Sequence, residues 1–98
     1  MTRDRANAIA AMFREIGGFT EIEVSQAGGE FATAASPWRV YLWCVNAKAG
    51  NRNLTQIERA DQVPDMAAAK RLARVAKGKA TERDIAALSR IASEKANS

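Results

Sequence analysis

Trp38-Arg39-Val40-Tyr41-Leu42-Trp43-Cys44-Val45 decides the fold. Side chains alternate across a strand, so Val40, Leu42 and Cys44 share one face and Tyr41, Trp43 and Val45 the other. A strand apolar on both faces is central or sandwiched. The apolar run from Val40 to Val45 is far shorter than the roughly 20 residues that a membrane span needs. The sequence is therefore expected to build a small sheet around this segment, in a soluble, cytoplasmic protein without a membrane partner.

Upstream, residues 19–25 alternate again. Ile22 and Val24 point one way, Glu21 and Glu23 the other, which predicts a half-buried strand with an acidic outer face. Ala27-Gly28-Gly29 reads as a turn. Residues 30–34 read as a short further strand, with Phe31 and Thr33 on one face, ended by Ser36-Pro37. Before all of these, Ile9, Met12, Phe13 and Ile16 recur at helical spacing. Asp4 or Thr2 can cap that helix, and Gly17-Gly18 ends it.

Downstream, residues 46–53 form a polar turn around Gly50. Residues 54–62 fit a strand with Thr55, Ile57 and Arg59 on one face, paired with residues 38–45, or a helix with Leu54, Ile57 and Asp61 in line. The strand is preferred. A helix is expected over residues 64–77, with Met66, Ala69, Leu72, Ala73 and Ala76 as its stripe and Gly78 as its stop. Thr81-Glu82-Arg83-Asp84 matches a capping box with the acid at the third helical position. Ile85, Leu88, Ile91 and Ala92 form the stripe of the last helix, and residues 95–98 fray.

The expected order is α-β-β-β-(β)-α-α, an α+β fold. A three- or four-stranded antiparallel sheet carries helices on one face. The 98 residues make a single domain, with no repeat or low-complexity tract. Of its 46 apolar residues 21 are Ala, so only 25 larger side chains are left to build a core. That core is modest, and a homodimer would cover further apolar area.

There is no histidine and one cysteine, Cys44. Neutral-pH acid–base catalysis uses His most often, and zinc sites rest on His or several Cys. No cofactor or metal is expected, and Cys44 reads as a small buried apolar residue. Glu21 and Glu23 are the one carboxylate pair that an enzyme would use.

The net charge of +4 is uneven. Residues 1–35 hold three arginines and five acids, a net of −2; residues 36–98 hold twelve Lys/Arg and six acids, a net of +6. Much of the excess stands in Lys70, Arg71, Arg74, Lys77 and Lys79. Lys70, Arg74 and Lys77 fall in one line on a helix, with no acid between residues 66 and 81. Such a line suits successive phosphates or an acidic protein surface. Near the helix C-terminus it equally suits a solvated face that complements the helix dipole. A second candidate is Tyr41 and Trp43 with Arg39, which on an open sheet face can stack on unpaired bases or form a protein interface.

A helix-turn-helix over residues 54–74 fails at two positions. Pro64 stands where the turn needs glycine, and Lys70 falls on the buried position of the second helix. The α-β-β-β-α order from residue 4 to 77 is similar to that of a double-stranded-RNA-binding domain. That family opens its last helix with paired lysines and carries a His in a strand loop. Here Pro64-Asp65-Met66 opens the helix and His is absent, so no binding residue carries over.

The composition points to a non-enzymatic binding protein, associated with nucleic acid, RNA or DNA, through the basic helix. The alternative is a protein–protein inhibitor or adaptor of a phage or plasmid, of the anti-CRISPR or anti-defence type.

Overall fold

The computed structural model describes residues 1–26 and 37–97. Helix α1 (Arg3–Ile16) is followed by strands β1 (Glu21–Gln26), β2 (Trp38–Val45) and β3 (Arg52–Ile57). A 3-10 turn (Ala60–Gln62) leads to α2 (Met66–Ala76) and α3 (Glu82–Asn97). This is an α+β fold in the order α-β-β-β-α-α. The expected Gly28-Gly29 turn and the strand over residues 30–34 lie outside the described residues. No helix among those described is long and apolar enough to cross a membrane.

The doubly apolar segment is the central strand. The sheet order is β1-β2-β3, antiparallel throughout. Val24, Val40 and Ile57 align in one row across it, and Ile22, Leu42 and Thr55 in the next. Val40, Leu42, Cys44 and Ile57 are fully buried beneath the helices. Ile9 and Phe13 of α1 and Ala69 and Ala73 of α2 close the core. The alanines matter because a methyl side chain lets a helix backbone approach closely. Phe19, just after α1, meets Phe13 edge-on at 5.6 Å. The thiol of Cys44 donates to the Ala76 carbonyl at 3.2 Å, joining β2 to the end of α2.

β1 runs over Glu21–Gln26 rather than 19–25 and α2 ends at Ala76 rather than 77, and three further boundaries differ from the sequence reading for a local reason. β3 begins at Arg52, inside the expected turn, because the turn closes early. Asn46 Oδ1 accepts from the backbone N–H groups of Lys48 and Ala49, both at 2.9 Å, and Asn46 N donates to the Asn51 carbonyl at 2.8 Å. β3 ends at Ile57 because Gln62 Oε1 accepts the N–H groups of both Glu58 and Arg59, each at 2.8 Å. That side chain diverts the backbone from the ladder into the 3-10 turn. α2 begins at Met66, two residues after Pro64, because Asp65 caps it through Ala68 N at 2.8 Å. Of the two residues able to cap α1, Thr2 does so, accepting from Arg5 N at 3.2 Å.

α3 packs chiefly on α2 and the 3-10 turn. Its stripe is only half covered: Leu88 and Ile91 are partly buried, and Ile85 stays 54 % exposed. The energetic weight should follow this division. Phe13→Ala should cost about 3–5 kcal/mol in urea unfolding, and Ile85→Ala should stay within about 0.5 kcal/mol. Equal costs would show that α3 carries core weight.

Candidate functional site

The sequence marked two candidate surfaces, and the fold separates them. α2 lies on the inner side of the sheet, whereas Arg39, Tyr41 and Trp43 point to the outer side. They belong to opposite faces of the molecule.

The helical surface is built as its spacing predicts. Lys70, Arg74 and Lys77 line a groove of about 440 Å³ between α1 and α2, with Glu15, Ile16, Met66 and Ala73. Their electrostatic roles diverge within it. Arg74 donates to both carboxylate oxygens of Asp84, Nε at 2.8 Å and a terminal nitrogen at 2.6 Å. Arg71 approaches the same carboxylate at 3.6 Å. Lys77 Nζ donates to the Gly17 carbonyl at 2.6 Å and stands 4.8 Å from the centre of the Phe19 ring. Two of the five cations, Lys70 and Lys79, are exposed and have no internal partner among the described residues.

Asp84 is the residue that sequence reasoning missed in this role. Its capping box is present as expected: Thr81 N donates to Asp84 Oδ2 at 3.0 Å, and Asp84 N to Thr81 Oγ1 at 3.3 Å. The same carboxylate, only 3 % exposed, is also the anchor for two arginines. Hydrogen bonding from Arg74, then from the Thr81 backbone, holds its acid well below the usual carboxylate range. The same bond pushes the Arg74 guanidinium up. Burial raises the Cys44 thiol, with Lys77 opposing.

On the outer side, no helix among the described residues covers Tyr41 and Trp43, which are half-buried by their neighbours. The Arg52 guanidinium lies 4.6 Å over the Trp43 ring and reaches Glu21 at 3.2 Å. This ion pair forms a strap from β3 to β1 across the indole. Arg39 pairs with Glu58 at 3.3 Å. Glu21 and Glu23 share this outer face, and Glu21 is engaged by Arg52. Among the described residues, no group of three or more His, Cys, Asp or Glu is placed to hold a metal ion. No protein-family model matches the chain, and no curated protein or solved structure matches it.

Asp84 has a defined pH signature. Its folded acid is stronger than the ordinary Asp at about 3.9, so its stabilisation is complete above that pH. The contribution is lost as pH falls from there toward the lower folded value. Asp84→Asn should lower Tm by on the order of 10 °C near neutral pH. The gap to the unmodified protein should shrink steadily below about pH 4. A pH-independent gap in calorimetry would show that the charge of Asp84 does not matter.

Proposed function

We propose that the protein is a non-enzymatic domain that binds nucleic acid along the α1–α2 groove. The observation that supports this is the convergence of Lys70, Arg74 and Lys77 on one groove, with the Lys70 ammonium unpaired among the described residues. Lys79 adds a second unpaired cation just past the end of α2. A phosphate backbone entering there meets free ammonium groups first and the already engaged Arg74 and Lys77 behind them. Affinity in this arrangement comes from counterion release and is independent of base sequence. Glu15 on the groove rim opposes it, so Glu15→Gln should tighten binding.

The internal bonds dictate which substitutions are informative. Reversing Arg74 strips Asp84 of its main partner, so lost binding would reflect lost structure. Lys70→Glu with Lys79→Glu leaves the packing untouched. Titration with a fluorescent oligonucleotide should show affinity falling steeply with salt. The double variant should bind more weakly, with the log–log salt slope reduced by about 2, roughly 0.9 for each lost phosphate contact. Binding that ignores both salt and the double substitution rejects the proposal. Capture from a native lysate, with and without nuclease, gives a second check. A stoichiometric protein retained after nuclease would replace this reading with that of an adaptor or inhibitor.

A further inference from the structure

The outer face of the sheet sets an apolar patch between unevenly charged flanks. Trp43, Val45 and Leu54 form an apolar patch there, with Val45 58 % and Leu54 38 % exposed. Glu21, Trp43 and Leu54 lie in one row across the three strands, and Val45 opposite Arg52 in the next. On β1 the outward residues are Glu21, Glu23 and Ser25; on β3 they are Arg52, Leu54 and Gln56. The β1 flank of the patch is thus acidic, whereas the β3 flank carries Arg52 beside the patch and, past Gln56, Glu58 paired with Arg39. Two carboxylates beside the aromatics make this face a poor seat for a polyanion.

We infer that this face binds a second copy of the chain, sheet against sheet, about a two-fold axis running along β2. A face-to-face pair has two simple choices of axis. An axis across the strands sets β1 against β1 and brings Glu21 and Glu23 toward their own copies. An axis along β2 sets β1 of each copy against β3 of the other, so on both sides of the axis Glu21 lies over the partner's Leu54 and one row from the partner's Arg52, within reach of its long side chain. Only the second arrangement is charge-complementary, and like charges forced together in an interface are strongly unfavourable. It also brings the two Trp43 rings together near the axis. Sheets packed this way are nearly aligned, as their twist favours.

The strap across Trp43 does not oppose this. Its Arg52 and Glu21 side chains are 52 % and 54 % exposed, and such ion pairs contribute little. Exchanging it for the same pair between copies keeps the ion pair, gives up the Arg52 contact with the Trp43 ring, and frees both indoles to bury each other. The footprint is small, with strands of roughly 20 Å side by side over roughly 14 Å. That is below the roughly 800 Å² per partner of standard interfaces, so the dimer is weak and forms at high concentration.

The test uses two single substitutions and their mixture, on nuclease-treated protein. Glu21→Arg leaves an arginine on both flanks at this end of the patch, and Arg52→Glu a glutamate on both. Sedimentation equilibrium up to about 1 mM should show the unmodified chain dimerising and each variant at least about tenfold weaker. The equimolar mixture of the two variants should recover the association, because each restores the other's missing charge. Both substitutions lie on the exposed face, and circular dichroism confirms that each variant is folded. Three results overturn the inference: an unmodified chain still monomeric at that concentration, variants that dimerise as well as it does, or a mixture no tighter than its components.

Discussion

The ammonium of Lys77 ties the end of α2 to the exit of α1. It donates to the carbonyl of Gly17, the residue that ends α1, and stands over the ring of Phe19 as the chain turns into β1. The Lys77 carbonyl accepts from Ala47 N at 2.9 Å in the β2–β3 turn. One residue past the end of α2 therefore holds the exits of α1 and β2 together. Gly18 makes this approach possible, because a β-carbon there would stand 2.6 Å from the Lys77 nitrogen. With that corner fixed, Phe13 and the alanines of α2 meet over Val40 and Leu42, and the modest core closes.

Most of the architecture was legible from the spacing of apolar residues. The double-faced run at residues 38–45 read as a central or sandwiched strand, and glycines and caps bounded the helices. What misled was local chemistry that competes with the backbone ladder. Nothing in the periodicity of residues 54–62 reveals that the Gln62 amide will take the N–H groups of Glu58 and Arg59 and end the strand. Asp65 outranks Pro64 as the start of α2 because a side-chain acceptor satisfies an open N–H, which proline only avoids needing. The stripe of α3 was visible in sequence, but its half-exposure depends on where the helix docks.

The candidate site was legible as a pattern and opaque as electrostatics. Helical spacing places Lys70, Arg74 and Lys77 along one groove, and the fold keeps them there. Sequence shows no acid within that run, yet Asp84 reaches back across the Gly78 turn to pair with two of its arginines, offsetting one of their two charges. Such a partner is invisible to any argument confined to a single helix. The capping-box signal marked Asp84 correctly, but a cap uses its carboxylate toward the backbone and says nothing of the arginines on the other side. The basic helix is thus partly scaffold: Arg71, Arg74 and Lys77 are engaged internally, and Lys70 and Lys79 have no internal partner among the described residues.

The lone thiol sits at the seam between sheet and helix. Its sulfur hydrogen-bonds the last carbonyl of α2, with no exposed surface, so a reagent in solvent meets it only when α2 lifts away. Cys44 therefore works as a clock for local opening: its alkylation rate follows how often this corner comes apart, without any introduced label. Because Lys77 clasps the same corner, a molecule lodged between the helices would slow that clock even where it touches neither residue.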